Sequence, residues 1–272
     1  MGSIPSEATR SIFSERAFLL PHRILKNMNE RSEAIILHAL RHSDTSTIVH
    51  AYTRQRGHIT FVINGGTSSR RSSRSSVRRL MTRPLSLVEV DYALSGKREL
   101  LHASDVRSLH SFETIDSSPE RSAMALFLSE LLYRTLRFPN GDEPLFDYLR
   151  SALLALDDPK TAMGNFHLVF LMRYIAALGL SPHTDSYSSG ALFDMEEGSY
   201  VAARTPYATL LPTDESTALY ALRSITFEDS TSVRFPAELK QRLIRSLIEY
   251  LRIHLGNFPP LQSLDVIYTL FA

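Results

Sequence analysis

Arginine and serine dominate one short stretch of this chain, residues 65–84, which reads GGTSSRRSSRSSVRRLMTRP and contains no acid. Guanidinium groups make planar, bidentate contacts with phosphate, so a cluster of them is suited to binding a polyanion. The intervening serines offer little apolar surface to bury, which is typical of a loop that is mobile when free. The stretch therefore indicates either a polyanion-binding surface or a solvated loop without a partner.

The net charge of +1 conceals a division between two parts of the chain. Residues 1–88 carry 14 Lys and Arg against 5 Asp and Glu, whereas residues 89–272 carry 16 against 24. No acidic residue falls between Asp44 and Glu89. This polarity favours a nucleic-acid partner for the first part. The bias of the whole chain towards arginine, 26 against 4 lysines, weakens the argument from any one arginine.

Residues that could support catalysis or metal binding form no recognisable motif. The chain has no cysteine, which excludes disulfides, thiolate-bound zinc and a cysteine nucleophile. His38 and His42 would suit a metal ion on a helix, but in a strand they lie about 13 Å apart and are interpreted as surface histidines. The adjacent pairs Asp157–Asp158 and Glu196–Glu197 are interpreted as solvated helix ends and turns. We expect no enzyme, no cofactor and no metal site.

The elements that position the arginines follow residues 1–29, which show no clear period and are taken as an N-terminal extension. Five short strand-like runs with glycine-containing turns reach to about residue 110, which is typical of a small β-barrel. They are EAIILHAL, STIVHAYT, ITFVIN, LSLVEVDYAL and ELLHASDVRSL, and the arginine-rich stretch separates the third from the fourth. Tyr52 and Phe61 flank the turn at Gly57 and are either base-stacking platforms or core residues.

Helical spacing of apolar residues characterises most of residues 111–272. The helical runs are PERSAMALFLSELLYRTLRF, EPLFDYLRSALLALDD, GNFHLVFLMRYIAALGL and PAELKQRLIRSLIEYLRIHL. Ser118 is predicted to cap the first of these, with Pro119 at its first position. The third is apolar on all sides and is therefore predicted to be central. Residues 181–235 form an irregular insertion, in which Asp214 and Glu215 are predicted to begin a helix.

No apolar run approaches the roughly 18 residues that span a bilayer. The short apolar block AFLL near the start is interrupted by Arg16 and Pro21, unlike a signal peptide. We therefore expect a cytoplasmic protein.

The order of these segments resembles the RecO family of DNA repair proteins. The resemblance begins with EAIILHALRHSDTSTIVHAYTRQRGHITFVINGG, continues with RPLSLVEVDY and the helical runs, and covers roughly residues 31–272. The cysteine-free form looks closest to the RecO of Bacteroidetes-type bacteria. This resemblance implies an α+β chain, with an OB-fold barrel at 30–110 and a helical domain at 111–272. It also implies that the insertion at about 181–235 is a degenerate, zinc-free relative of a zinc-finger-like segment.

The same resemblance implies a recombination mediator without catalytic turnover. Such a protein binds single- and double-stranded DNA, anneals complementary strands, and with RecR helps to load RecA onto strands covered by the single-strand-binding protein, SSB. The chain departs from the family pattern at 64–67, where many members carry a Lys-Gly-Ala-Arg-like run and this chain has NGGT. Without zinc, the insertion is expected to depend on the packing of Tyr187, Leu192, Phe193, Tyr200 and Tyr207.

Two sets of arginines are predicted to meet these partners. The predicted DNA-phosphate contacts are Arg54, Arg56, Arg70, Arg71, Arg74, Arg78 and Arg79. An acidic, aromatic-ended SSB tail requires apolar surface rimmed by cations. Its predicted contacts are Arg121, Arg134, Arg137 and Arg173. Three alternatives stay open: an RNA- or ribosome-binding OB-fold protein, an adaptor for an acidic protein, and a hydrolase that uses Ser, His and Asp.

Overall fold

The first part of the chain is a closed β-barrel. A computed structural model describes residues 29–43, 46–64, 80–94, 100–137, 139–203, 208–256 and 258–271. The barrel strands are β1 (Asn29–Arg41), β2 (Ser46–Thr53), β3 (Gly57–Asn64), β4 (Leu87–Ala93) and β5 (Leu100–Ser108). These strands correspond to the five runs expected from the sequence, so the predicted barrel is confirmed.

The strand order identifies the type of barrel. Neighbouring strands follow the order β1-β2-β3-β5-β4, and β4 pairs back onto β1. Strands β3 and β5 are parallel, whereas the other pairs are antiparallel. This is the five-stranded topology of an OB-fold, as expected. Gly57 has a φ of 64°, which lets the chain reverse tightly between β2 and β3.

Alternate side chains of the strands fill two different cores. Ile36, Val49 and Phe61 are buried inside the barrel. Ile35 and Tyr52, on the opposite face, are buried against the helices. Phe61 and Tyr52, the two aromatics considered for base stacking, are therefore core residues with 0% and 3% exposure.

The second part of the chain is mainly helical. Its helices are α1 (Thr114–Ser117), α2 (Pro119–Thr135), α3 (Glu143–Asp157), α4 (Phe166–Ala177), α5 (Thr213–Leu222), α6 (Ala237–Leu255) and α7 (Leu264–Phe271). A hairpin of β6 (Leu192–Asp194) and β7 (Ser199–Val201) lies between α4 and α5. Among the described residues, no helix is both long enough and apolar enough to cross a membrane.

Local signals in the sequence explain where the main helices begin. The Ser118 hydroxyl accepts the N–H of Arg121 at the start of α2, where Pro119 occupies the first position, as predicted. Asp142 caps α3 in the same way, accepting the N–H of Leu145 at 2.9 Å. Helix α4 is buried on nearly every side, which confirms its predicted central place.

The insertion is held together by stacked aromatic rings. Tyr187 stacks on Tyr220 with centroids 3.5 Å apart and planes 7° apart. Tyr200 meets Tyr187 edge-on at 5.0 Å, and Phe193 lies 5.1 Å from Tyr200. The predicted aromatic packing is confirmed for these side chains, while Leu192 is only half-buried. Tyr207 lies outside the described residues.

A buried carboxylate fastens the insertion to the helices behind it. Helix α5 begins beside Asp214 and Glu215, as predicted, but Glu215 is only 3% exposed. Its carboxylate accepts from the Arg242 Nε at 2.8 Å and from the Ser246 hydroxyl at 2.6 Å. Since both partners lie on α6, this contact ties α5 to α6. A buried charge is tolerated in such a place because it is paired and hydrogen-bonded.

The interpretation of Asp157 as a solvated helix end was wrong. Its carboxylate is buried and accepts the N–H groups of Thr114 and Ile115, both at 2.9 Å. The Nε2 of His110 lies 3.0 Å from its other oxygen. Burial acts to raise the pKa of Asp157, but these hydrogen bonds outweigh burial and hold the pKa below its ordinary value. Asp157 thus ties the start of α1 to the end of α3.

Barrel and helices form one packed body in which several groups cross between the parts. The Ser129 hydroxyl of α2 donates to the carbonyl of Leu37 in β1 at 2.6 Å. Gly141, just before α3, lies against the turn between β2 and β3, where a Cβ would stand 2.2 Å from the Gln55 carbonyl. The barrel ends at Ser108 and α1 begins at Thr114, on either side of the expected domain boundary near residue 110.

Candidate nucleic-acid interface

The arginine-rich segment lies between β3 and a helical turn at 80–82. Residues 65–79 are outside the described residues, and with them the predicted phosphate contacts Arg70, Arg71, Arg74, Arg78 and Arg79. Residues 1–88 have an excess of nine positive charges, and five of these belong to the arginines of segment 65–79. These five arginines remain predicted DNA contacts.

Arg54 is engaged by two carboxylates and is not free on the barrel surface. Its guanidinium donates to Glu33 at 3.0 Å and to Asp147 of α3 at 2.5 Å. It also lies 4.8 Å from the centre of the Phe146 ring. The hydrogen bond to Asp147 is the main cause that raises the pKa of Arg54 above its ordinary value. The side chain therefore connects the barrel to the helices, a role that its sequence position did not indicate.

Other arginines on the described barrel surface are neutralised by carboxylates. Arg56 meets Glu30 at 2.6 Å with its side chain 44% exposed. The further pairs are Arg31 with Asp91, Arg83 with Asp116, and Arg107 with Asp105. Because these arginines are paired, the charge surplus of the first part lies mainly in the segment 65–79.

Three histidines form a row across the outer face of β1, β2 and β3. His38 is directly opposite His50 in the β1–β2 pairing, and His58 stands two residues from Thr60, the β3 partner of His50. The ring centroids are 6.4 Å apart for His38 and His50 and 5.4 Å apart for His50 and His58, with planes 23° apart in both cases. All three side chains are half-buried. We call this set the histidine row.

Tyr133 of α2 supports the histidine row from the helical side. Its ring lies 4.6 Å from His38 and 5.0 Å from His50, measured between centroids. The Thr60 hydroxyl lies 3.3 Å from the Nδ1 of His50. The rings are therefore held in place by a neighbouring helix and by the adjacent strand.

The local environment keeps the histidine row uncharged. Burial is the main cause that lowers the pKa of His38, and the positive charge of Arg134 adds to it. Burial, the other two histidines and Arg137 lower the pKa of His50 to about 4. Burial and Arg137 also lower the pKa of His58. At neutral pH the row is thus a set of neutral aromatic rings beside fixed cations.

The row was missed because its formation depends on strand register. The sequence shows His38 as a single histidine in a strand, and an irregularity between Ile36 and His38 sets its pairing with His50. Histidines on three consecutive strands were the signal available in the sequence. His42 is exposed, in agreement with its interpretation as a surface residue. Among the described residues, no group of three or more His, Asp or Glu side chains could hold a metal ion.

Two of the four arginines predicted to bind the SSB tail are used inside the helical part. Arg121 is 6% exposed and donates to the carbonyls of Leu156 and Thr161 at the end of α3. This position gives an external peptide no access to its guanidinium. Arg173 donates from Nε to the Ile225 carbonyl at 2.9 Å and is half-buried.

The other two arginines, Arg134 and Arg137, lie beside the histidine row. Arg134 is 3.9 Å from Glu130 and its side chain is 27% exposed, while Arg137 is exposed. Arg121 is 13 residues from Arg134 on the same helix, a separation of about 20 Å. The four arginines are therefore not gathered at one place. None of them lines the small apolar cavity between α4, α6 and the insertion.

Comparison with known proteins gives the same result for both parts of the chain. The family described as "Recombination protein O N terminal" matches residues 28–112, and "Recombination protein O C terminal" matches residues 116–265. A DNA repair protein RecO of Phocaeicola vulgatus is 35% identical over 245 residues, which cover 90% of this chain and 100% of that protein. Similar relatives occur in Bacteroides fragilis, at 35% identity over the same shares, and in Porphyromonas gingivalis, at 32% over 88% and 98%.

Proposed function

This chain belongs to the RecO family of DNA repair proteins, and from that premise we propose that it is a recombination mediator rather than an enzyme. It binds single- and double-stranded DNA and anneals complementary strands. Together with RecR it helps to load RecA onto DNA covered by SSB. We also propose that the protein acts in the cytoplasm, where the chromosome is accessible.

The observation that carries the proposal is the family match over both parts of the chain, 28–112 and 116–265. An OB-fold barrel joined to a helical body supports it, because such barrels commonly hold nucleic-acid strands. The uneven charge along the chain adds support, since phosphate contacts dominate affinity for nucleic acid.

We assign the phosphate contacts to the segment 65–79 and to Arg56, which precedes β3. Arg70, Arg71, Arg74, Arg78 and Arg79 carry most of the surplus charge, and Arg56 is exposed although it is paired with Glu30. Arg54 is left out, because two carboxylates already hold its guanidinium. With about four phosphates neutralised, the logarithm of affinity for a single strand is expected to fall with log salt at a slope of about −3.

The helical part is proposed to receive the SSB tail. Arg137 is exposed, and Arg134 beside it is partly exposed. An acidic peptide would be attracted to this pair, which stands close to the aromatic side chains of the histidine row. Arg121 is not part of this proposal because it is buried in contacts with backbone carbonyls.

A strand-annealing assay, performed with and without SSB, tests the proposed function. The triple variant R70E/R71E/R74E is expected to weaken binding to every DNA sequence alike and to slow annealing. A matched variant, R150E/K160E/R234E, makes the same change in net charge at three exposed positions of the helical part and is expected to anneal normally.

Three results would count against the proposal. Absence of annealing by the unaltered protein would reject the mediator function. Equal loss of DNA binding and annealing in both triple variants would show that only the net charge of the protein matters. The segment 65–79 would then have no specific role. A clear preference for RNA over DNA would favour the alternative of an RNA-binding barrel.

A further inference from the structure

The histidine row has the geometry of an organised surface rather than a chance cluster. Three imidazoles on neighbouring strands lie nearly parallel, with successive centroids 5.4 and 6.4 Å apart. Tyr133 packs against two of them, which restricts their rotamers before any ligand arrives. Side chains that are already ordered lose little conformational entropy when a partner binds.

The charge around the row points to a partner that is aromatic and negatively charged. The rings themselves are neutral near pH 7, and the charges that act on them belong to Arg134 and Arg137. The carboxylate of Glu130 lies 3.9 Å from Arg134 and accepts the backbone N–H groups of Gln262 and Ser263. Arg137 has no carboxylate partner among the described residues. Neutral aromatic rings beside such a cation match a nucleotide, which has a base to stack and a phosphate to neutralise.

The partly open position of the row determines which nucleic acid it can accept. Its side chains are half-buried, so a part of each residue is accessible to a partner. Bases in a duplex are stacked on each other and cannot lie on a protein ring without being unstacked. Bases of a single strand are free to do so at little cost.

We propose that His38, His50 and His58, with Tyr133 behind them and Arg137 at their edge, form a stacking platform for unpaired bases of single-stranded nucleic acid. This inference rests on the proposed function and adds to it the site that distinguishes single strands from duplex. The contribution of the row to single-strand affinity depends on its aromatic rings and not on the number of phosphates bound.

The test compares removal of the rings with their conservative replacement. The variants are H38A/H50A and H38F/H50F, and the probes are a thymidine oligonucleotide of about 20 residues and a duplex of the same length. Loss of the rings is expected to weaken single-strand binding by about ten-fold, to leave duplex binding within about two-fold, and to leave the salt slope unchanged. The phenylalanine variant is expected to bind the single strand like the unaltered protein.

A base analogue gives a readout that does not depend on affinity. A 2-aminopurine within the oligonucleotide is expected to change fluorescence when it stacks in the complex, and to do so with the unaltered and phenylalanine proteins only. The melting temperature of each variant shows whether it is folded. H38F/H50F is expected to stay folded even if H38A/H50A unfolds, because phenylalanine preserves the packing of the rings. The variant Arg137→Gln is expected to reduce the single-strand salt slope by about 0.7, the contribution of one phosphate.

The outcomes separate this inference from the proposed function. If the unaltered protein binds neither probe, the proposed function itself fails. If it binds both and the folded alanine variant binds them equally well, the platform is wrong while the function stands. Equal weakening of single-strand and duplex binding by H38A/H50A would also overturn the platform, because stacking on unpaired bases would then not be its role.

Discussion

At the scale of single residues, Arg54 and Arg56 differ in exposure and in the number of carboxylates that they contact. Both lie at the turn between β2 and β3. Arg54 is 21% exposed and joins Glu33 to Asp147, which are far apart in sequence, whereas Arg56 is 44% exposed and meets only Glu30 among the described carboxylates. Burial and a second partner make Arg54 the more important of the two for stability.

Replacing Arg54 is therefore expected to cost more than replacing Arg56. Arg54→Ala leaves two carboxylates without their partner and should lower the free energy of unfolding by about 1–2 kcal/mol. Arg56→Ala should change it by about 0.5 kcal/mol or less, since exposed ion pairs contribute little. Urea unfolding of both variants at one salt concentration checks the difference. Equal effects would mean that Arg54 does not join the two parts.

His50 is expected to make the protein less stable as the pH falls through the weakly acidic range. Its ordinary pKa of 6.5 is lowered to about 4 in the folded chain. Between these two values the unfolded chain binds more protons than the folded one, so stability decreases from about pH 6.5 down to about pH 4. His50→Phe keeps a ring but cannot be protonated, so its stability should decline less over this window.

Thermal unfolding at several pH values measures this effect. Between about pH 7.5 and about pH 5, the melting temperature of the unaltered protein is expected to fall more than that of His50→Phe. His38 and His58 also have lowered pKa values, so some decline should remain in the variant. Parallel curves for the two proteins would show that His50 is not held neutral by the fold.

At the scale of elements, Asp157 shows how a short helix is stabilised from outside itself. Helix α1 has four residues and no side-chain cap of its own. The carboxylate of Asp157, at the end of α3, supplies the missing acceptor for its first N–H groups. Unsatisfied donors at a helix start are costly when they are buried.

Replacing Asp157 is expected to detach α1. Asp157→Ala removes the acceptor of both N–H groups and should lower the free energy of unfolding by about 2–3 kcal/mol. The neighbouring change Asp158→Ala, at an exposed carboxylate, should cost less than about 1 kcal/mol. Because the pKa of Asp157 lies below its ordinary 3.8, its contribution should persist at neutral pH and be lost as the pH falls below that value. Urea titrations of both variants test the assignment, and equal losses would refute it.

Which elements could be predicted depended on their length. The long helices follow from apolar spacing and from Ser118 and Pro119, and the barrel strands follow from their alternation. Helix α1 and strands β6 and β7, of four, three and three residues, are too short to show a period. Their positions are set by groups distant in sequence, such as Asp157, which local patterns do not report.

At the scale of the whole molecule, Gly141 permits the close approach of the barrel and the helices. A Cβ at this position would stand 2.2 Å from the carbonyl of Gln55. The requirement is steric, because even the smallest side chain would collide with backbone of the β2–β3 turn. The loop before α3 can therefore pack against the β2–β3 turn only if residue 141 has no side chain.

Gly141→Ala is therefore expected to force the two parts away from each other. Overpacking of this kind should lower the free energy of unfolding by about 1–3 kcal/mol. Gly164→Ala is the matched control, since a Cβ at Gly164 would meet nothing within 4 Å. The control should stay within about 0.5 kcal/mol of the unaltered protein. Thermal unfolding decides the matter, and an unaffected Gly141→Ala would show that the turn can move freely.

The sequence predicted the architecture of the molecule better than its candidate site. Composition, charge and segment order indicated a barrel, a helical part and the family. The contact of Arg54 with Asp147 joins residues 93 positions apart, and the histidine row depends on the pairing of three strands. Such arrangements follow from tertiary packing, so the types of residue alone could not place them.

Among the described residues, the pairing between β3 and β5 is shorter than the other strand pairings of the barrel. It joins Thr60–Val62 to Leu100–His102, whereas β2 pairs with β3 from Ser46 to Thr53. Local opening of the barrel should therefore begin between β3 and β5. The amide hydrogens of this pairing should exchange with deuterium sooner than those between β2 and β3.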